Sequence, residues 1–507
     1  MPNESNPTNY EEIRSDLRRT AIKQPLLAMV LDPKNKDENI PVIVEVNDEY
    51  YDGKAAAVQQ VTNLVKNLAG VDLPSIGSDQ NPYYKTRLTP QQILDIVDQD
   101  DKNAQASREM SYALPTGDNV SAVRPHQVAR YLAIQRIWYD HPINPLIDKS
   151  VSTVKADAAL RAFLAEGKDI VWAVIDSGID QNHQHFGTKE TLKVTLPVQH
   201  CDFTIPNGAG SPTALVDNFG HGTHVAGIIA GAYVSDGVKP KAKARRTKLV
   251  KGSQVDTFEE DLSQIAGMAP SCTLVSLKVL DDNGNGDVSN IIDAIDRIQT
   301  INEFGRSLKI HGVNLSVGYE FDPTWFACGQ SPVCAEVNRL VRSGVVVVVA
   351  AGNTGYGVLS ANQRATGAGF MLTINDPGNA ELAITVGSTH RDAPYTYGVS
   401  YFSSKGPTGD GRMKPDLVAP GERILSCCSS TKDPTNATIV YIEDSGTSMA
   451  APHVSGVIAA FLSIRREYIG NPERVKQLFL STATDLGRNS YFQGRGLVDL
   501  MRAIQSV

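Results

Sequence analysis

The sequence has no long hydrophobic run, and this absence limits the class of protein that it can encode. No apolar stretch approaches the ~18 residues that a membrane span needs, and the opening segment MPNESNPTNYEEIRSDLRRT shows no apolar core behind a basic start, as a secretory signal would. Positive charge is not in excess, because 56 acidic residues outnumber 48 basic ones and give a net charge of −8. We therefore expect no membrane and no nucleic-acid partner. We also expect a cytoplasmic location, with non-classical secretion as the alternative.

Cysteine is scarce as well, with six in 507 residues. Cys328 and Cys334 are close enough in sequence to pair, and Cys427 and Cys428 are adjacent. Because no secretory signal is visible, free thiols in a reducing compartment are favoured over disulfides. What the sequence does contain is the composition of a soluble globular protein, with 41% hydrophobic and 21% charged residues.

The order of apolar and polar residues predicts three segments. Residues 1–35 are polar and form an N-terminal arm. Residues 36–150 form a small α+β domain, with a strand pattern at 40–47 and an amphipathic helix pattern at 54–68. Residues 151–507 alternate strand and helix patterns, which predicts an α/β fold with a mostly parallel sheet and helices on both of its faces.

Polar residues occur where several of these predicted elements meet. Ligands of a parallel sheet bind outside the carboxyl ends of its strands, and Asp176 ends the strand VWAVID. His221 precedes an apolar helix in NFGHGTHVAG, and Ser448 lies in the first turn of a long apolar helix in DSGTSMAAPHVSG. A lone serine at a helix start is usually an N-cap. The three types together suit nucleophilic catalysis, because a histidine can take the proton of an attacking serine while a carboxylate orients the ring.

The segments VWAVIDSGID, HGTHVAG and SGTSMAAPHVSG resemble the aspartate, histidine and serine signatures of the subtilisin family of serine proteases, the subtilases. Their order along the chain differs from that in chymotrypsin-like and α/β-hydrolase enzymes. The resemblance covers roughly residues 154–507. It implies a serine endopeptidase that hydrolyses proteins or peptides through an acyl-enzyme intermediate. Asp176, His221 and Ser448 would be its catalytic triad, and no cofactor would be required for the chemistry.

The same resemblance extends to residues between the histidine and serine segments. VVVVVAAGNTG is similar to the family segment whose asparagine donates to the oxyanion, which here is Asn353. GVNLSVG resembles the strand that pairs with the substrate backbone. The implied substrate-binding residues are Ser316, Val317, Gly318, Ala351 and Gly352. Asn314, in the same strand, either satisfies hydrogen bonds of the strand or contacts substrate.

The front segment is similar to the inhibitory propeptide that often precedes the catalytic domain in this family. Such propeptides have a β-α-β-β-α-β pattern, which is similar to the pattern of residues 36–143, and they assist folding of the domain that follows. The chain's own N-terminal domain would then be an intramolecular inhibitor, removed by cleavage within residues 140–155. A permanent interaction module is the alternative.

One departure from the family pattern concerns calcium. Family members commonly carry an acidic calcium ligand a few residues after the catalytic aspartate, and this chain has His185 there. Imidazole is a poor ligand for a cation that prefers oxygen. This puts the usual strong calcium site in doubt, and we assign no metal ligand. Weaker calcium binding elsewhere stays open, although the oxygen-rich stretch Asp281–Asp287 is favoured as a simple turn.

A second departure is an insertion near residues 231–264. Seven lysines and arginines lie between Lys239 and Lys251, followed by the acidic string DTFEED. The composition favours a solvated mobile loop. A processing site or a docking patch for an acidic partner is the alternative.

Two other functions compete with proteolysis. A subtilase scaffold can be kept as a non-catalytic binding protein, but all four implied catalytic positions carry competent residue types. An esterase activity would use the same triad and stays open as a side reaction.

Overall fold

The computed structural model describes most of the chain, and its contacts divide the chain into two compact units. The described residues are 21–23, 26–75, 82–112, 129–140, 149–235, 242–250, 254–322, 327–361, 364–430 and 439–507. The first unit is Met1–Ile143 with Arg161–Phe163, and the second is Asn144–Leu160 with Leu164–Val507.

The first unit is an α+β unit built on three antiparallel strands. Its elements are α1 (Leu26–Leu31), β1 (Ile40–Val46), α2 (Lys54–Ala69), β2 (Tyr83–Leu88), α3 (Pro90–Tyr112) and β3 (Ile134–Tyr139). The strand order in the sheet is β2-β1-β3. The central strand places Val42 and Val44 in an apolar core, which Val61 and Val65 of α2 join from one face of that helix.

This unit differs from the sequence prediction in two places. Helix α1 lies within the predicted polar arm, but its Leu26 and Val30 are buried in the core of the unit, because LLAMVL places apolar residues one helical turn apart. The fourth strand of the implied propeptide pattern does not occur in the described residues. Residues 76–81 and 113–128 lie outside the part that the structure describes.

The second unit is built on a seven-stranded sheet in which every described pairing is parallel, and this confirms the predicted fold class. The strands of this sheet are β4 (Val171–Asp176), β5 (Cys201–Asp202), β10 (Thr273–Lys278), β11 (Gly312–Leu315), β12 (Val346–Ala350), β15 (Ile384–His390) and β16 (Leu417–Glu422). Their order across the sheet is β16-β15-β12-β11-β4-β10-β5. The remaining strands of the unit are β6 (Ala232–Val234), β7 (Ala242–Val250), β8 (Gln254–Leu262), β9 (Gln264–Ala266), β13 (Tyr356–Ala361), β14 (Arg364–Gly369), β17 (Ile424–Cys427) and β18 (Ile439–Asp444).

Helices cover both faces of the seven-stranded sheet. The helices that begin in the second unit are α4 (Lys149–Thr153), α5 (Ala156–Phe163), α6 (Gln184–Gly187), α7 (His221–Ile229), α8 (Val288–Ile301), α9 (Pro332–Arg342), α10 (Pro394–Tyr397), α11 (Thr447–Ile464), α12 (Pro472–Thr482), α13 (Ser490–Gln493) and α14 (Leu500–Gln505); the last three residues of α5 belong to the first unit. Along β12, Val346 and Val348 join the core that contains α7 and α11, whereas Val347 and Val349 join the core with α8 and α9. The valine run is therefore an internal strand buried on both faces.

Helix α11 passes through the middle of the core on one face of the sheet. Contrary to the expectation from the sequence, this 18-residue helix is long and apolar enough to span a membrane by length and composition. However, 83% of that stretch is buried inside the protein. It packs against β11, β12, β15 and β16 and against α7. Its position fixes where its first residues, including Ser448, meet the edge of the sheet.

The direction of the chain reverses between β4 and β11. From β4 the chain goes to β5 and β10 on one side, and it then returns to β11, β12, β15 and β16 on the other. The crevice at such a reversal, outside the carboxyl ends of the strands, is where ligands bind in open parallel sheets. Asp176 ends β4 and Ser316 follows β11, so both lie at this crevice.

The insertion forms a β-hairpin, so the loop prediction is wrong for residues 242–250 and 254–262. Strands β7 and β8 pair with each other, and β7 pairs in parallel with β18. Alanines alternate with basic residues along β7, so Ala242 and Ala244 enter the core. Basic β7 runs beside acidic β8, and opposite charges on paired strands stabilise the hairpin.

One buried carboxylate anchors this hairpin. The Glu443 side chain is 1% exposed and accepts hydrogen bonds from Thr247 N at 2.9 Å and from Arg246 Nη1 at 3.2 Å. Arg391 and Arg423 also contact it. Because an unpaired buried charge is strongly destabilising, these partners hold the hairpin against the strand that leads to Ser448.

All six cysteines lie in the described part of the chain, where they are buried and form no disulfide. The alternative of a bridge between Cys328 and Cys334 is therefore not seen.

Candidate active site

Asp176 and His221 form the strongest polar contact at the crevice. Asp176 is buried at the end of β4, and its Oδ1 accepts a hydrogen bond from His221 Nδ1 at 2.7 Å and from Ser177 N at 2.8 Å. His221 is the first residue of α7, and its side chain is 19% exposed. The carboxylate therefore orients a ring whose other nitrogen is left for a second partner.

Two glycines make this contact possible. Gly220 has a φ of +84° in the left-handed region, which turns the chain sharply into α7. A Cβ atom on Gly222 would lie 2.2 Å from the carbonyl oxygen of Gly178 and 3.1 Å from the Asp176 side chain. A larger residue at position 222 would push the helix away from the aspartate. The glycines of HGTH thus set the distance between Asp176 and His221.

Asp217 is a buried residue that the sequence analysis missed. Its Oδ1 accepts hydrogen bonds from Ser177 Oγ at 2.8 Å and Gly220 N at 2.7 Å, and its Oδ2 accepts from Thr223 N at 2.8 Å. It thereby joins the end of β4 to the start of α7. Burial raises the pKa of Asp217 despite these hydrogen bonds. The sequence signal was an acidic residue shortly before a helix start, where a negative charge is favourable.

The pKa of His221 is raised by its neighbours. Burial alone lowers it, but the charge and hydrogen bond of Asp176 outweigh burial, and Asp444 and Asp217 add to the same effect. An imidazolium at this position is therefore stabilised, which favours a histidine that accepts a proton.

Ser448 is the second residue of α11 and is partly buried. Its Oγ donates a hydrogen bond to the backbone oxygen of Ser316 at 2.9 Å. Among the described residues no hydrogen bond joins Ser448 to His221. The serine and the histidine therefore lie at the same crevice, but the Ser448 hydroxyl is hydrogen-bonded to the backbone of Ser316.

Asn353 follows β12, and its amide orientation is fixed by Thr447. The backbone N–H of Thr447 can only donate, and it reaches Asn353 Oδ1 at 2.9 Å. Asn353 Nδ2 therefore points away from the helix backbone and keeps its two hydrogens for another acceptor. Thr447 Oγ1 also accepts from Gly352 N at 3.1 Å. Thr447 is a second residue that the sequence analysis did not single out.

These side chains share one cavity of about 450 Å³. The residues that line it are Phe219, His221, Leu280, Gly284, Ser316, Val317, Gly318, Ala350, Gly352, Asn353, Thr354, Asn375, Asp376, Thr447 and Ser448. Asp176 lies behind His221, away from the cavity wall.

Two residues proposed to meet substrate do not reach this cavity. Ala351 is fully buried, and its neighbour Ala350 lines the wall in its place, because successive residues of a strand point to opposite sides. Asn314 is also fully buried and donates to Ser316 Oγ at 2.9 Å. The interpretation of Asn314 as a substrate contact is therefore wrong, and the structural alternative holds.

His185 does not fit a calcium site. Its two ring nitrogens contact Tyr441 OH and the Gly227 carbonyl oxygen, each at 3.2 Å, and burial lowers its pKa to about 3. The nearby carboxylate of Asp180 accepts from Asn182 N and from Ser430 N and Oγ. Both oxygens of the Asp180 carboxylate therefore already accept hydrogen bonds from protein donors.

A buried aspartate bonded to a histidine, with a serine and an amide donor at the same cavity, is the residue set of a serine hydrolase. The family model described as the subtilase family matches residues 167–497. The chain belongs to this family and is a serine endopeptidase.

The chain is similar to individual proteases and to one solved structure. The thermostable alkaline protease of Halalkalibacterium halodurans is 28% identical over 372 residues, which are 71% of this chain and 82% of the relative. Subtilisin E of Bacillus subtilis is 30% identical over 369 residues, which are 72% of this chain and 73% of the relative. The solved structure of a cold adapted subtilisin-like serine proteinase aligns with a TM-score of 0.42 at 24% identity, over 66% of this chain and 88% of that chain.

The pairing of Asp176 with His221 predicts a titration that NMR can follow. In the wild type the imidazole pKa of His221 lies above its ordinary value. In Asp176→Asn the opposing charge is lost while burial persists, so the pKa of His221 falls below that value. Asp410→Asn, at a carboxylate that contacts Arg412, leaves it unchanged. An unchanged His221 pKa in Asp176→Asn contradicts the assignment.

Proposed function

We propose that Asp176, His221 and Ser448 are the catalytic triad of this endopeptidase, with Asn353 and the Ser448 backbone N–H as its oxyanion hole. The observation that carries the proposal is the 2.7 Å hydrogen bond from His221 to buried Asp176, in the cavity that Ser448 and Asn353 also line. A serine is a weak nucleophile until a neighbouring base takes its proton.

The reaction follows from these positions. Ser448 Oγ attacks the peptide carbonyl carbon while His221 Nε2 takes the hydroxyl proton. His221 then gives this proton to the leaving amine, which departs and leaves an acyl group on Ser448. A water molecule attacks the acyl carbon by the same steps and restores the free serine. Asp176 stays ionised and stabilises the imidazolium that forms twice in each cycle.

The oxyanion is held by two kinds of donor. Asn353 Nδ2 is free to donate because Thr447 occupies the amide oxygen. The backbone N–H of Ser448 lies at the start of α11, where the helix dipole favours negative charge. Fixed donors of this kind stabilise charge that develops in the transition state without having to reorganise.

The hydroxyl of Ser448 has to turn before it reacts. It now donates to the Ser316 carbonyl oxygen, and a rotation about χ1 would direct it to His221 Nε2. Hydrogen bonds of this type often tighten only when substrate binds. We propose that Ser316, Val317, Gly318 and Gly352, which line the cavity, bind the backbone and side chain of a protein substrate on the acyl side.

We further propose that the N-terminal unit is an intramolecular inhibitor. Its support is the strand and helix pattern in the sequence of residues 36–143, of which the structure describes three strands and two helices, and the fact that the unit is compact with its own apolar core. A pre-formed unit of this kind can assist a large parallel sheet, whose many non-local contacts make folding slow.

The position of His185 is proposed to hold no calcium ion. This proposal is supported by the engagement of both ring nitrogens of His185 and by the three protein donors that bind the Asp180 carboxylate. The catalytic steps above use no metal ion, and none depends on that position.

Labelling with a fluorophosphonate tests the triad. The reagent phosphonylates an activated serine, so the wild type freed of its N-terminal unit should be labelled and Ser448→Ala should not. Ser445→Ala is the matched control, because Ser445 is exposed in the same loop and should leave labelling intact. Equal melting temperatures would show that the variants are folded. Labelling of Ser448→Ala at the wild-type rate would contradict the proposal.

Mass spectrometry of the purified protein tests the proposed inhibitor. Active wild-type enzyme should have lost its N-terminal unit by cleavage within residues 140–155, and Ser448→Ala should stay at full length if the cleavage is its own. An intact N-terminus in fully active enzyme would overturn this proposal while leaving the triad untouched.

A further inference from the structure

Helix α11 contains a proline at a position where it removes a hydrogen bond from the proposed nucleophile. In an α-helix each N–H donates to the carbonyl four residues earlier. Pro452 has no N–H, so the carbonyl oxygen of Ser448 lacks the donor that the fourth residue further along an α-helix normally supplies. This end of the helix is largely buried, where a carbonyl without a partner is costly.

The side chain of Ser316 replaces the missing donor. Ser316 Oγ donates to the Ser448 carbonyl oxygen at 2.9 Å, and Ser448 Oγ donates to the Ser316 carbonyl oxygen at 2.9 Å. Each serine therefore binds the backbone of the other. This reciprocal pair joins the end of β11 to the first turn of α11.

Two further side chains fix the direction of the Ser316 hydroxyl. The carbonyl of Ser448 can only accept, so Ser316 Oγ spends its hydrogen there and must itself accept a hydrogen bond. Asn314 Nδ2 supplies this bond at 2.9 Å. Asn314 Oδ1 then accepts from Ser455 Oγ, also at 2.9 Å. Asn314 and Ser455 are fully buried, so no water competes for these groups.

We propose that Ser316, through its hydroxyl, is a positioning residue for Ser448, in place of the backbone donor that Pro452 lacks. Ser455 donates to Asn314, Asn314 donates to Ser316, and Ser316 donates to the Ser448 carbonyl oxygen. These hydrogen bonds fix the position of that carbonyl at the edge of the sheet. The Ser448 side chain then starts each cycle from one defined position relative to His221.

This inference rests on the proposed function, because it assigns a task only if Ser448 is the nucleophile. Ser316 is also one of the residues proposed to bind substrate, and the inference gives its side chain a second role. The Ser316 hydroxyl is engaged by the Ser448 carbonyl oxygen and by Asn314, so the pairing proposed between the backbone of residue 316 and substrate does not use it. Removing the hydroxyl should therefore change the rate of the chemical step and leave substrate binding nearly unchanged.

The test compares kcat and KM of four forms of the mature enzyme on one peptide substrate. Ser316→Ala leaves the Ser448 carbonyl without a donor, and we expect kcat to fall about 10- to 100-fold, the scale of a displaced catalytic group. KM should stay within about twofold, since the backbone of residue 316 is intact. Pro452→Ala alone, which adds a second donor to the same carbonyl, should change kcat little.

The double variant Ser316→Ala/Pro452→Ala is the decisive form. The Pro452→Ala change restores a backbone N–H that can donate to the Ser448 carbonyl, so kcat should recover most of what Ser316→Ala lost. A purely structural loss at position 316 would not be repaired by a change on the helix.

Ser276→Ala is the matched control. Ser276 is a buried serine in a strand of the same sheet, and its Oγ donates to the backbone oxygen of Ala214 at 2.6 Å. We expect its substitution to lower the melting temperature about as much as Ser316→Ala but to leave kcat unchanged.

Three results would overturn the inference. They are an unchanged kcat in Ser316→Ala, no recovery in the double variant, and an equal loss of kcat in Ser276→Ala. Failure of the proposed function is recognised separately, because Ser448→Ala would then keep its activity.

Discussion

The burial of helix α11 is the constraint on which the rest of this structure depends. The helix packs on four parallel strands and on α7, so its N-terminus can lie in only one place along the sheet. Polar groups on a helix this deep need partners from other elements. Thr447 binds Asn353, Ser448 binds Ser316, and Ser455 binds Asn314. The same packing that stabilises the domain therefore assembles the site.

The aspartate and histidine are placed by a second constraint, the reversal of strand order between β4 and β11. It brings the end of β4 next to the end of β11, and the glycine-rich turn before α7 lets the histidine approach. Asp217 ties this turn to the end of β4 through Ser177 and Gly220. The crevice is thus formed by backbone geometry, and few side chains are needed to complete it.

The sheet, its buried valine strand and the residues of the proposed site could be predicted from sequence, because apolar runs and glycine-flanked polar residues report on local structure. Other features depend on distant partners. The partner of Ser316 is the carbonyl of a residue 132 positions away, and nothing near Ser316 reveals it. The composition of the hairpin predicts a loop, because charged residues dominate it. Ala242 and Ala244, two positions apart, nevertheless face the core. Helix α1 is not predicted from sequence either, because the residues around it are polar.

The central claim is that Ser448 attacks and that Asn353 receives the charge that develops. A crystal structure of the mature enzyme with a peptidyl phosphonate tests both parts at once. In this structure the phosphorus atom should be bonded to Ser448 Oγ. A phosphonyl oxygen should lie about 2.7–3.1 Å from both Asn353 Nδ2 and the Ser448 backbone nitrogen. The Ser448 carbonyl should still accept from Ser316 Oγ. A phosphonate bonded to another residue, or a phosphonyl oxygen turned away from Asn353, would contradict the central claim.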